Sequence, residues 1–328
     1  MKASARNLSA VGITALGLVA CSSGGDDDGA NLAVGATGKL SLSITDAPVD
    51  AVESIVVHFT GVRLKPQNGP AIDIPFVDEN GNPVTHVVDM LELTNGTYED
   101  LFLDAEVPAG VYNWIQLEVL ADTANGGDSH VMSNGAQYEL RIPSSEQNGL
   151  RFVSPFTVTA DGQTHLLLDW DMRMALIRPP GQDGIFMLRP AFRLIDMTEH
   201  GLLTGSVAAE LIDAAGCEGD TTIGAGNAVY VYDAADLVGT DGTPLEPGDI
   251  GSTSHPAPVA TGVVEFDAAS GAYGFRVILS PGEYRVAYTC DGDADEVETD
   301  DDVVLLLAPD TVAIENGQTA SVDFPSVL

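Results

Sequence analysis

From Lys39 onward the apolar positions of this chain fall on every second residue. Leu40, Leu42 and Ile44 alternate with serines, and Ile55, Val57 and Phe59 resume the same rhythm after a short break. A period of two belongs to a strand with one buried face. Similar runs predict strands at residues 71–77, 111–120, 137–142, 156–159, 164–170 and 186–195. Asn68-Gly69, the stretch 79–83, the stretch 125–127 and Asp161-Gly162 punctuate them as turns. No long segment carries a 3.6-residue period. The stretch "DMLELTNG" at 89–96 has room for one or two helical turns.

A second β-patterned region opens near Leu203-Thr204-Gly205-Ser206-Val207. Its clearest part is "SGAYGFRVILSPGEYRVAYTC", residues 270–290. Tyr273, Phe275, Val277 and Leu279 alternate, "SPGE" turns, and Tyr284, Val286 and Tyr288 resume the period, which predicts one antiparallel hairpin. Many short strands between Gly- and Pro-rich turns indicate sandwiches. The expected fold class is therefore all-β, with two β-sandwich domains at 38–200 and 203–328.

The motifs "GKLSLSITDAPVDAVESIVVHFTGVRL", "DMLELTNG", "VPAGVYNWIQLEV", "LLLDWDM" and "MLRPAFRLID" occur in this order. Together they resemble the family called domain of unknown function 4382, over roughly 38–198. That resemblance implies a bacterial secreted protein or lipoprotein and brings no catalytic residue or ligand. The later region, with "LTGSVAAELIDAAG", "NAVYVYDAAD" and its "PGxY", resembles the transthyretin-like or carboxypeptidase-regulatory sandwich. Domains of that kind are mostly non-enzymatic scaffolds or adhesive modules. The insert at 241–258 is longer than that pattern usually carries there.

The N-terminus has a processing pattern. Lys2 and Arg6 precede a short, mostly apolar run from Leu8 to Ala20, whose thirteen residues would span roughly 20 Å as a helix, too short for a bilayer core. It ends in Leu18-Val19-Ala20-Cys21, which resembles the lipobox of bacterial lipoproteins and implies acylation of Cys21 as the mature first residue. An ordinary signal peptide with a chance cysteine is the competing reading. The polar "SSGGDDDG" that follows reads as part of a flexible acidic tether over 22–37. Ser22 stands where many inner-membrane lipoproteins carry aspartate, so the resemblance points to the outer membrane, facing the periplasm or the surface. With Cys21 lipidated, Cys217 and Cys290 remain, in a compartment where disulfides persist. A bridge between them would contribute about 4 kcal/mol in the chain-entropy model.

The formal charge is −36, from 13 Lys and Arg against 49 Asp and Glu. This balance argues against nucleic acid or anionic lipid headgroups as partners and favours cations. Asp291, Asp293, Asp295 and Asp302, in "CDGDADEVETDDD", have the oxygen-ligand spacing of a calcium loop, although Glu296 replaces the loop's glycine and no helix flanks it. A solvated acidic loop is the plainer reading. No other cofactor is suggested. In "SITDAPVD", Asp46 is expected to accept backbone N–H groups in an Asx-type turn, while Asp50 and Glu53 have the spacing of a helix-start capping box. Asp169 and Asp171 share one face of a regular strand, with Trp170 opposite. Trp170 and Trp114 both lie within strand patterns and are expected in the core. His58, His86, His130, His165, His200 and His255 are scattered singly, so a zinc site would need tertiary convergence.

Two functional readings follow. One is a lipid-anchored, non-catalytic binding, adhesive or structural module of the cell envelope, whose partner is a polysaccharide or another envelope protein. The other is a secreted hydrolase built from separated carboxylates such as Asp46, Asp169 and Asp171. The anchoring step has a direct test. Cys21→Ala is expected to lose incorporated lipid label and to leave the membrane fraction, whereas a variant that stays in membranes would refute lipid anchoring.

Overall fold

The structure, a computed structural model, describes residues 35–47, 52–120, 129–142, 150–179, 181, 184–212, 226–236, 258–268, 270–292 and 305–325. It is all-β with sandwich-like pairs of sheets. No helix among the described residues is long and apolar enough to cross a membrane.

The first pair is built from β1 (Thr37–Ala47), β2 (Ser54–Pro66), β3 (Ile72–Pro75), β4 (His86–Asp89), β5 (Glu99–Pro108), β6 (Gly110–Val119), β7 (His130–Ser133), β8 (Ala136–Arg141), β9 (Leu150–Phe152), β10 (Phe156–Val158), β11 (Gln163–Asp171), β12 (Leu176–Ile177), β13 (Ile185–Leu188) and β14 (Phe192–Asp196). A four-stranded sheet runs β14-β11-β1-β5, and a ten-stranded sheet runs β10-β6-β2-β7-β8-β13-β12, with β3 and β4 on β2 and β9 on β6. Between them lies one core. Leu40, Leu42, Ile44, Ile55, Val57, Phe59, Leu168 and Trp170 in it are wholly buried, on the alternation read from the sequence.

The second pair comprises β15 (Gly201–Val207), β16 (Ala228–Asp233), β17 (Ala260–Val263), β18 (Glu265–Asp267), β19 (Ala272–Leu279), β20 (Gly282–Thr289), β21 (Leu306–Leu307), β22 (Val312–Ile314) and β23 (Thr319–Ser321). One sheet runs β18-β19-β15-β23 and the other β17-β16-β20-β21, with β22 on β20. Leu203, Val229, Val231, Phe275, Val277, Leu279 and Val286 fill the space between them.

Several elements depart from the sequence pattern for identifiable reasons. The run 186–195 is two strands. β13 joins the larger sheet beside β8 and β12, and β14 joins the smaller one beside β11. Pro190 stands at the break and has no N–H to give a ladder. The stretch at 89–96 forms one 3-10 turn, Met90–Glu92, capped by the Asp89 carboxylate, which accepts the Leu91 N–H. β5 lacks a clean apolar signal because it is an edge strand whose Glu99, Asp100, Asp104 and Glu106 keep that edge from pairing further.

The predicted hairpin at 270–290 is not one. β19 pairs with β15 and β18, while β20 pairs with β16, β21 and β22 in the opposite sheet. The Ser280-Pro281 turn therefore carries the chain across the sandwich. β5 and β6 behave alike, since β5 pairs with β1 in the small sheet and β6 with β2 in the large one. Both crossings end in a tyrosine that reaches back four residues. Tyr112 Oη donates to the Pro108 carbonyl at 2.7 Å, and Tyr284 Oη donates to the Ser280 carbonyl at 2.9 Å. Such a bond fixes the corner at which a strand changes sheets. Burial pushes the Tyr112 hydroxyl up to about 12 and raises that of Tyr284. Both phenols therefore remain donors throughout the neutral range.

Tyr112→Phe and Tyr284→Phe are each expected to lower stability by about 1 kcal/mol, the net worth of one such bond. Thermal melts of the two variants and of their combination measure it. Additive losses are expected, because the two corners lie in different sheet pairs.

Candidate functional site at the junction of the sheet pairs

β1 and β11 are parallel neighbours in the small sheet of the first pair. Their inner faces enter the core, and their outer faces are covered as well. Ser43, Leu167 and Ile195 are fully buried there, and Thr45 and Asp169 nearly so. The cover comes from the segment 93–97 and from the second sheet pair. Thr45 Oγ1 donates to the Thr97 carbonyl at 2.6 Å and lies 3.1 Å from the Leu93 carbonyl. Asn95, at φ 53°, turns its amide oxygen to the Arg276 N–H at 3.2 Å, and Thr94 Oγ1 donates to Glu265 at 3.0 Å.

The acidic side chains singled out in the sequence meet at this junction. Asp169 lies opposite Arg193 across β11 and β14 and is ion-paired to it, while the same guanidinium donates to the Ile278 carbonyl of the second pair at 3.0 Å. Asp171 ends β11 and caps the helical turn Met172–Ala175, its carboxylate accepting the Met174 N–H at 3.1 Å and facing Thr261 Oγ1 at 3.4 Å. Asp46 accepts the Met172 N–H at 3.1 Å, so it ties the end of β1 to the helical turn after β11; residues 48–50, where a local Asx turn would close, lie outside the described residues. The helical turn carries Arg173, 5% exposed, into the second pair, where it donates to Tyr230 Oη at 2.8 Å and to the Gly292 carbonyl. Between the pairs a cleft of about 20 Å³ is lined by Thr45, Asp46, Asn95, Asp169, Thr261 and Arg276, among others. That is room for roughly one water molecule.

Burial raises Asp171 to about 6, backed by the like charge of Asp169 and opposed by the Met174 N–H, Arg173 and Arg193. As a residue it is only half-buried, but its carboxyl end is tucked beneath β17. A value near 6 would suit a general acid. The surrounding bonds instead make this carboxyl group part of the joint.

A second cluster had no sequence signal. Ser43 Oγ donates to Asp100 Oδ1 at 2.6 Å and lies 2.7 Å from His165 Nε2, and Tyr98 packs edge-on against the imidazole. The residue types are those of a hydrolytic triad, but the order is different. A triad places histidine between serine and carboxylate. Here the serine stands in the middle and gives its only proton to the carboxylate, so toward the histidine it can only accept. The arrangement ties β5, β1 and β11 together.

Glu53 precedes β2 and caps no helix; its carboxylate accepts the Gly135 N–H at 2.9 Å in the β7–β8 turn, because the chain enters a strand at Ser54. Cys290 is disulfide-bonded. Cys21, Asp50, Cys217, His255, Asp293, Asp295 and Asp302 lie outside the described residues, and Asp291 follows Cys290 at the end of β20. Among the described residues no group of three His, Cys, Asp or Glu side chains is placed to hold a metal ion. Trp170 is in the core, its Nε1 donating to the Arg189 carbonyl at 3.0 Å. Trp114 is not. It lies half-buried on the outer face of the large sheet, beneath the guanidinium of Arg151 at 4.2 Å.

Residues 37–190 match the family model described as "Domain of unknown function (DUF4382)". No curated protein matches the chain. Among solved structures, a leucine-rich repeat protein from Bacteroides thetaiotaomicron aligns over 88% of this chain at 11% identity and a TM-score of 0.20, and this chain spans 26% of that protein. The minor pilin GBS52 of Streptococcus agalactiae aligns over 87% of this chain and 94% of its own, at 13% identity and a TM-score of 0.17. Likeness at this level carries no functional argument.

Asp171 makes stability depend on pH. Between its unfolded value near 4 and its folded value of about 6, the folded protein holds the extra proton, so this group's contribution to stability falls as pH rises through that window. Asp171→Asn keeps an acceptor for Met174 and removes the titration. Its melting midpoint is expected to exceed the parent's at pH 7 and to converge with it near pH 4. Parallel melting curves from pH 4 to 8 would show that Asp171 does not titrate at the junction.

Proposed function

We propose that this is a lipid-anchored module of the bacterial outer membrane, acting by binding, adhesion or structural support rather than by catalysis. In this reading Cys21 carries the lipid, residues 22–37 form the tether, and the domains at 38–200 and 203–328 project as one body. Cys217 and Cys290 form the disulfide. The observation that most supports it is how the junction carboxylates are used. Asp46, Asp169 and Asp171 all accept hydrogen bonds or ion pairs that hold strands or sheet pairs in place. A hydrolase of the carboxylate type must leave one acid and one base facing a substrate, with a gap wide enough for the scissile bond. The cleft beside these residues has room for about one water. A partner is then met on the outer surface, and the joint keeps the two halves in fixed relation to the anchor.

The hydrolase reading draws on a single observation, the raised Asp171. A screen of the purified chain against polysaccharides and esters separates the two. No turnover is expected. Hydrolysis that disappears in Asp171→Asn, with an unchanged circular-dichroism spectrum, would overturn the non-catalytic reading.

A further inference from the structure

The outer face of the large sheet carries a patch of basic and aromatic side chains. On β2, β6 and β9 the inward residues Leu64, Ile115, Val62 and Leu117 enter the core. The pleat therefore turns Lys65, Trp114, Arg63, Gln116 and Arg151 outward, with Lys65 opposite Trp114 and Gln116 between Arg63 and Arg151. The exposed Arg151 spans two of these rows. Its guanidinium lies over the Trp114 ring at 4.2 Å, and its Nε and Nη2 donate to Gln116 Oε1 at 3.2 and 3.0 Å. Gln116 is 2% exposed and held from its other end by Glu118, at 2.7 Å, so the guanidinium rests on a fixed support. Lys65 is positioned too, its ammonium donating to the carbonyls of Pro66, at 3.1 Å, and Gly69.

The patch also differs in charge from the molecule as a whole. Acidic residues outnumber basic ones 49 to 13, and Lys39, Arg63, Arg141 and Arg193 each have a carboxylate within 4.0 Å. Lys65 and Arg151 have none among the described residues; their partners are backbone carbonyls, an amide and a ring. Two ordered cations are thus left without a counter-charge on either side of an indole, on an otherwise acidic molecule. Arginine and tryptophan are also the residues most enriched where interfaces concentrate their binding energy.

We propose that this face binds a carboxylate-bearing polysaccharide, a polyuronate, with Arg151 and Lys65 on the sugar carboxylates and Trp114 against a ring. The proposal rests on the non-catalytic reading and names the class of partner. A polyuronate repeats one carboxylate and one partly apolar ring face per unit, which matches two cations placed beside one indole on a sheet face. Nucleic acid would need a far wider basic surface. The net charge of −36 does not forbid contact. At 0.15 M salt the Debye length is about 8 Å, so an approaching carboxylate senses this face, where Arg63, Lys65 and Arg151 outnumber Asp73 and Glu118, more than the whole chain.

The test follows tryptophan emission of the full chain at 0.15 M salt during titration with polygalacturonate, dextran and poly-glutamate. Trp170 is fully buried, so a change reports Trp114. A saturable change with polygalacturonate alone is expected, weakened about tenfold or more in Lys65→Gln/Arg151→Gln and kept in Lys39→Gln, each variant matched to the parent by its melting midpoint. No response, an equal response to dextran or poly-glutamate, or unchanged affinity in the double variant overturns the proposal. Shortening of the polygalacturonate during the titration would instead overturn the non-catalytic reading.

Discussion

The parallel pair of β1 and β11 is buried on both faces, and much else in the molecule follows from that. Parallel strands of this sort are usually continuous apolar runs, because neither side meets water. β11 largely conforms, with Leu166, Leu167 and Leu168 in succession. β1 does not, since Ser41, Ser43 and Thr45 alternate with its core residues. Every polar group on the covered face therefore needs an internal partner, as burying it unpaired would cost about 1–3 kcal/mol. The carbonyls of Leu93 and Thr97, the Asp100 carboxylate and His165 are those partners.

The same constraint explains why the charges at the junction come as they do. Asp169 on the covered face requires a cation, and Arg193 is directly opposite on the next strand. Once buried, that guanidinium needs further acceptors, and one of them is the Ile278 carbonyl of the second sheet pair. Arg173 extends the logic, buried and held by Tyr230 and Gly292. A pair of charges taken from water in this way adds little net stability, because desolvation offsets the attraction, but it penalises other arrangements strongly. Its effect here is to specify how the two halves meet.

The two tyrosine corners solve a different problem. A sandwich needs the chain to leave one sheet and enter the other without pairing with itself. Pro108 and Pro281 withhold an N–H at each crossing, and Tyr112 and Tyr284 close the corner with one bond back to the strand just left. The sequence around Tyr284 reads as a hairpin because alternation on both sides of a Pro-Gly turn is the same whether the strands pair or face each other across a core. Periodicity reports which side chains go inward. It is silent on which backbone receives the hydrogen bonds.

That distinction marks how far the sequence could be read. Alternation placed Leu40, Leu42, Ile44, Ile55, Val57 and Phe59 in the core and identified an all-β chain, because burial of one strand face is a local property with a fixed period. It also put Asp169 and Asp171 on one side of β11, with Trp170 on the other. The fate of Trp114 was not legible, since inward and outward positions beside a bulge exchange with a one-residue shift between Lys65 and Pro66. Nor was the Ser43, Asp100 and His165 cluster, whose members are 57 and 122 residues apart from Ser43 in the chain. By itself, then, the sequence determined the element type and the inner face of each strand. Only the tertiary structure decided which strands became neighbours, and with them whether an aspartate was a free acid or a bolt in a joint, because pairing partners are chosen by distances that no local pattern encodes.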